Sequence, residues 1–152
     1  MTQALKEAAR ATMLGEVPIG AVVVRAGKII ARAHNRTITD NDPTAHAEIL
    51  ALRKAAKKSG YYRLTECKLF VTIEPCPMCA GAMIWARVKE VIYGAADVKA
   101  GACGTLFDIT NDNRLNHKCK VRSGVLEKEC REMIQEFFIE RRKKKKEERR
   151  KK

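Results

Sequence analysis

The sequence predicts a single α/β domain, and three observations predict it. Ala21-Val22-Val23-Val24 and Lys68-Leu69-Phe70-Val71-Thr72-Ile73 are β-branched, apolar runs too hydrophobic to keep one face in water, so both read as buried strands, the first as a central one. Between the second run and Glu90-Val91-Ile92-Tyr93-Gly94 lies a helical stretch, and strand–helix–strand implies a parallel pair. A chain of 152 residues can bury an ordinary core without disulfide staples.

The remaining elements follow in order. Leu5, Ala8, Ala9, Thr12 and Met13 recur at helical spacing and Gly15 follows as a stop, so a first helix is expected from about Thr2 to Leu14. Ala26-Gly27 reads as a tight turn, with Lys28 to Arg32 as the returning strand of a hairpin. A polar loop ends at Thr44, an N-cap candidate for a helix reaching about Lys58 and burying Ala45, Ile49, Leu52 and Ala56. Glu74-Pro75 ends the next strand, and a helix runs from Cys76 to about Ala86, with Trp85 expected against a neighbouring helix or a subunit interface. The glycine-bearing stretch from Ala95 to His117 reads as loops of the kind that shape binding sites. Val121 to Val125 completes the sheet, and Leu126, Cys130, Met133, Ile134, Phe137 and Phe138 trace one face of a long C-terminal helix, Phe137 in the core.

Charge divides the chain. There are 31 basic and 18 acidic residues, a net +13, and Arg141 to Lys152 hold ten of the basic and two of the acidic side chains. The tail therefore carries +8 and the remainder only +5. The expected division is a domain over residues 1–142 and a basic tail over 143–152, disordered or a fraying helix. Such a tail attracts polyphosphate. No stretch approaches transmembrane length and no apolar signal region opens the chain, so no membrane contact and a cytoplasmic location are expected.

Six cysteines could suggest a disulfide framework, but the size of the chain and a C-x-x-C spacing argue for a metal instead. His46-Ala47-Glu48 is followed by Pro75-Cys76-Pro77-Met78-Cys79. A zinc ion held by His46, Cys76 and Cys79 has three protein ligands, which leaves the fourth tetrahedral position for water. Glu48 is then placed to move that water's proton, and both cysteines fall in the first turn of a helix, where thiolates are favoured. H-x-E with P-C-x-x-C is the signature of zinc-dependent nucleobase deaminases. The alternative is a closed structural zinc site with Cys67, Cys103 or Cys119 as fourth ligand. With two cysteines on the metal, Cys67, Cys103, Cys119 and Cys130 are expected as small buried apolar residues.

Further segments extend the match. They include Glu16-Val17-Pro18-Ile19-Gly20, His34-Asn35-Arg36, Asp42-Pro43-Thr44-Ala45-His46-Ala47-Glu48, Glu74 to Met83, Gly94 to Lys99, Leu115-Asn116-His117 and Phe137-Phe138 followed by Arg141-Arg142. On these the chain, from about Leu5 to Arg142, resembles the bacterial tRNA-specific adenosine deaminases. The resemblance implies a three-layer α/β/α fold with a mixed five-stranded sheet, a homodimer, one Zn2+ per subunit and the conversion of adenosine to inosine at the wobble position of an anticodon stem-loop. It carries His46, Cys76 and Cys79 over as ligands and Glu48 as proton shuttle. It implies that Asn35 contacts the base, that Asp97, Lys99 and Asn116 touch the RNA around it, and that Phe138 and Arg141 belong to the helix closing over the flipped nucleotide.

Three features depart from that group: a first helix starting close to Met1, the tryptophan at 85, and the density of Lys and Arg in the tail. The tail would hold single-stranded DNA as readily as RNA, and engineered members of the group act on DNA. The competing readings are therefore a deaminase of adenine or cytosine in single-stranded DNA, a deaminase of free bases such as guanine or cytosine, and a zinc-stabilised RNA-binding module without catalysis.

Overall fold

The computed structural model describes residues 1–151, all but Lys152 of the expected tail. Four helices and five strands follow in the order α1 (Thr2–Met13), β1 (Gly20–Arg25), β2 (Lys28–His34), α2 (Ala47–Ser59), β3 (Cys67–Ile73), α3 (Pro77–Trp85), β4 (Glu90–Ala95), β5 (Lys120–Arg122) and α4 (Glu127–Arg150). The sheet order is β2-β1-β3-β4-β5. β1 pairs antiparallel with β2 and β3, while β3–β4 and β4–β5 are parallel. The expected mixed five-stranded sheet is present. β1 is internal to it, between β2 and β3, as expected, and β3 is the middle strand, because the β1–β2 hairpin adds on one side and the α3 crossover on the other.

Helices cover both faces. Ala47, Ala51, Leu52 and Ala55 of α2 and Ala80, Met83 and Ile84 of α3 pack on Ala21, Val23, Leu69, Val71, Val91 and Tyr93. Met1 and Leu5 at the α1 end and Cys130 and Ile134 of α4 meet Ile73 and Ala95 from the other face. Two glycines allow that second layer to close in. A Cβ on Gly20 would overlap the α1 backbone at Ala4, and one on Gly94 would overlap Cys130 Sγ. The four cysteines outside the C-x-x-C pair are buried free thiols, as expected.

Several expected faces are turned. In α1 the buried residues are Ala4, Glu7, Ala8 and Ala11, whereas Ala9 and Thr12 are exposed and Met13 is 86% exposed. The inward carboxylate of Glu7 accounts for this: it meets His34 Nδ1 at 2.9 Å and Arg10 at 2.7 Å, so a charged residue occupies a core position. In α2 the N-cap is His46 and not Thr44, and the buried stripe shifts to Ala47, Glu48, Ala51, Leu52 and Ala55. Thr44 instead closes an Asx turn, donating its N–H and hydroxyl to Asp42 Oδ1. Trp85 is 75% exposed, and Phe137, expected in the core, is only half-buried. α4 runs as helix through Arg142 to Arg150, so of the two forms expected for the tail the described residues take the helical one.

The register fixes where function can reside. Gly20 pairs with His34, Ala21 with Val71, and Ile73 with Ala95, so these four strand ends share one edge of the sheet. Glu16, Asn35, the Glu74–Cys79 segment and Asp97 all lie just beyond that edge in the chain.

Candidate active site

Two helix starts meet at this edge. His46 caps α2 in extended backbone geometry, with Glu48 in the first turn. Cys76 caps α3, Pro77 opens it, and Cys79 follows in the first turn. Proline is suited to that opening position because its missing N–H falls where a helix has no internal acceptor. Both helices present their partially positive ends to the cluster, which favours anionic groups there.

His46 Nδ1 lies 3.6 Å from Cys76 Sγ and 3.5 Å from Cys79 Sγ. The three donor atoms fall within 4.8 Å of one another. A tetrahedral ion with nitrogen at about 2.0–2.1 Å and sulfur at about 2.3 Å spans an N···S edge of roughly 3.5 Å. The donor set therefore fits a tetrahedral metal with one position left over. Among the described residues no fourth His, Cys or carboxylate joins the cluster, and Cys67, Cys103 and Cys119 are buried elsewhere.

The protonation of these groups follows from their contacts. Cys76 is pushed down to about 4, first by its hydrogen bond with Cys79 and then by His46, with burial opposing. Cys79 is pushed up by the same contact and by burial, and His46 is raised chiefly by Cys76. Glu48 is 3% exposed and is pushed up to about 7, with burial the leading cause. Its Oε2 is buried with no hydrogen-bond partner among the described residues. A buried carboxylate oxygen without a donor is costly unless a ligand supplies one.

The other expected site residues fall into three places. Asn35 is 5% exposed at the same edge, its Nδ2 donating to Glu16 Oε2 at 3.3 Å and to Thr37 Oγ1 at 3.4 Å. The neighbouring Arg36 N–H donates to Ala45 O at 3.0 Å, which brings Asn35 beside the segment carrying His46. Asp97, Lys99 and Phe138 line one groove of about 880 Å³ between the end of β4 and α4. Asn116 is apart from them, lining a cavity of about 340 Å³ with Ile84, Trp85 and Leu115. Arg141 is not in the groove, and its guanidinium lies 5.9 Å from the Phe137 ring centre.

The groove also recruits Arg131 and Gln135, which the sequence did not single out, and Arg142, which it named only as part of the family match. With Phe138 they recur at helical spacing along one face of α4, and that periodicity was the available signal. No comparable signal marked Glu16 or Glu74, which are buried acids holding loops.

A mixed sheet between two helix layers, with a His-Cys-Cys metal-binding group and a buried glutamate at its edge, defines a hydrolytic deaminase of the cytidine deaminase-like fold. A model of the MafB19-like deaminase family matches residues 1–142. The tRNA-specific adenosine deaminase of Bacillus subtilis is 52% identical over 140 residues, covering 92% of this chain and 87% of the relative. A structure from a study of A-to-I editing by tRNA:A34 deaminases superposes with a TM-score of 0.85 at 45% identity, covering 88% of this chain and 96% of its own. The guanine deaminase of Bacillus subtilis superposes with a TM-score of 0.62 at 46% identity, covering 68% and 67%. The chain belongs to the tRNA-specific adenosine deaminase family.

Proposed function

We propose that this protein hydrolyses adenosine to inosine at the wobble position of a tRNA anticodon loop, using one zinc ion per subunit held by His46, Cys76 and Cys79. The observation that carries the chemistry is Glu48, whose partnerless Oε2 is buried beside the metal-binding triangle. Bound there, zinc supplies the Lewis acidity that lowers the pKa of a water towards ~7. Glu48 takes a proton from the attacking water and passes it to ring N1 as the C6–O bond forms, then takes the remaining O–H proton and delivers it to N6 as the C6–N6 bond breaks, leaving the C6 carbonyl and ammonia. A carboxyl held at about 7 suits a group that both takes and gives a proton near neutrality.

The polymer substrate is supported by the names of the relatives and by the charge of the chain. Asn35 takes the base, and Asp97, Lys99, Asn116, Phe138 and Arg141 take the neighbouring nucleotides. Arg142 and Arg131 extend that surface along the groove. An anticodon loop presents bases already free of pairing, so extruding one costs less than in a duplex. Exposed Trp85 and Leu115, with Asn116 beside them, support a homodimer across that apolar cavity. No helix among the described residues is long and apolar enough to cross a membrane, and a cytoplasmic location is part of this reading.

The likeness to a guanine deaminase favours one second reading, a deaminase of free bases such as guanine or cytosine. Single-stranded DNA carrying adenine or cytosine is the third substrate to separate. Zinc-loaded protein is given a stem-loop with a wobble adenosine, a single-stranded DNA carrying A and C, and free bases and nucleosides, with products read by mass. Inosine confined to the stem-loop is the expected result. Comparable conversion of DNA or free bases overturns the substrate assignment while leaving the zinc chemistry in place.

A further inference from the structure

Glu74 follows the last residue of β3 and is 3% exposed, yet it forms no ion pair among the described residues. Its carboxylate instead collects four donors from a single segment. Oε2 accepts the Asp97 N–H at 3.0 Å and the Thr105 hydroxyl at 2.5 Å. Oε1 accepts the N–H groups of Cys103 at 3.0 Å and Thr105 at 3.1 Å. The next residue continues the pattern, because Pro75 O accepts the Ala102 N–H at 2.8 Å. Gly101 lies so close that a Cβ there would overlap the Glu74 carboxylate.

The segment folds around this one group. Gly101 N–H donates to Asp97 O at 2.8 Å, and the N–H groups of Leu106 and Phe107 both donate to Gly101 O at 3.0 Å. Asp97 is fixed in turn, its Oδ1 accepting from Lys99 N at 2.9 Å and Ala100 N at 3.2 Å. Its Oδ2 accepts no hydrogen bond among the described residues, so it is available to a ligand. Burying a carboxylate without a counter-ion is costly, and four donors are what offset it. Only a carboxylate accepts on both oxygens. The amide of glutamine would turn an NH2 group towards two of the four donors.

We propose that Glu74 is a positioning residue for the substrate, an internal anchor that sets where Asp97 and Lys99 stand at the groove. The inference rests on the reading above that these two residues contact the RNA. Glu74 touches no reacting atom and acts through the Asp97–Thr105 segment, whose placement it shares with the chain carrying Cys76. The metal ligand and the substrate-contacting loop are thereby held to one rigid point, the end of β3.

The test uses the full-length, zinc-loaded protein with Glu74→Gln, Thr105→Val, Asp97→Ala and the Glu74→Gln/Asp97→Ala pair. Amide hydrogen exchange is followed across residues 97–105, with metal content per chain and with kcat and KM on the anticodon stem-loop. For Glu74→Gln the expected results are exchange at least about tenfold faster in 97–105 only, and unchanged zinc. Its kcat/KM falls about 10²-fold, mostly through KM, the scale expected for misplacement by about 1 Å. Thr105→Val, which removes one donor of four, shifts both in the same direction by less. Adding Asp97→Ala to Glu74→Gln costs less than about threefold, because both changes remove the same contact.

Unchanged exchange in 97–105 overturns the anchor, as does exchange that rises throughout the molecule with kcat and KM per folded chain intact. Effects of Glu74→Gln and Asp97→Ala that multiply, or a kcat/KM within about twofold of wild type, overturn the positioning role. A wild-type protein inert on the stem-loop sinks the proposed substrate, and the exchange result then decides the anchor by itself.

Discussion

Glu48 is costly to the fold and, in the function proposed above, is the proton shuttle of the chemistry. Its carboxyl is buried at the start of α2, raised to about 7 by that burial, and left with one oxygen unpartnered. Replacing it removes an unsatisfied polar group from the interior, so stability has little to lose. Glu48→Ala is expected to keep one zinc per chain and an unfolding midpoint no lower than wild type, while kcat falls by about 10²–10⁴-fold. Metal analysis, thermal unfolding and turnover on the stem-loop check this together, and near-normal turnover would remove the proton shuttle from the mechanism. The four residues of this centre were legible in the sequence because their spacings are short and fixed by helix starts. Glu74 and Glu16 were not, since nothing local says that an acid beside a strand will accept N–H groups some 23 to 31 positions away.

At the level of elements, the sequence located every helix and strand but misjudged which way several of them face. α1 and α2 each bury a carboxylate, Glu7 and Glu48, and a stripe drawn through apolar residues alone is rotated away from both. The first is held by His34 and Arg10, and the second belongs to the site. α4, expected as a long helix, is the longest of the elements. It passes Cys130 against Gly94, then Ile134 beside Ile73 and Ala95, then Phe138 beside Asp97, and so runs towards the edge that holds the site. Beyond Arg142 the helix continues for another ~12 Å. There Arg141, Lys145 and Arg149 form one i, i+4 row, and Arg142, Lys146 and Arg150 form the next. None of these six makes an ion pair among the described residues. Deleting residues 142–152 should therefore flatten the slope of log kcat/KM against log salt by about 2 or more on the stem-loop, with free-nucleoside turnover unchanged. An unaltered slope would make the tail a bystander.

The whole molecule brings together four chain segments that are distant in sequence. Antiparallel pairing of β1 with β2 and β3, and parallel pairing of β3 with β4, align Gly20, His34, Ile73 and Ala95 at one edge. Asn35, His46, Cys76 and Asp97 then need only short excursions to meet. Trp85 belongs to another surface, three-quarters exposed beside Ile84, Leu115 and Asn116. An exposed tryptophan next to an apolar cavity is what the proposed homodimer would cover. Trp85→Asp should shift sedimentation from dimer to monomer and weaken the dimer at least about 30-fold, since central aromatic contacts often contribute more than about 2 kcal/mol. Wild type sedimenting as a monomer would exclude this interface.

By itself the sequence determined the class of domain and singled out the His-Cys-Cys group that could hold a metal and the acid beside it, because strand composition, helix starts and ligand spacing are local properties of the chain. Only the tertiary structure decided that β3 is central, that Phe138 and Arg142 share a groove with Asp97 while Asn116 does not, and that Glu74 holds the loop. Those facts depend on register and on the direction of α4 across the sheet. Pairing of strands far apart in the chain sets both, and no local pattern of residues encodes it.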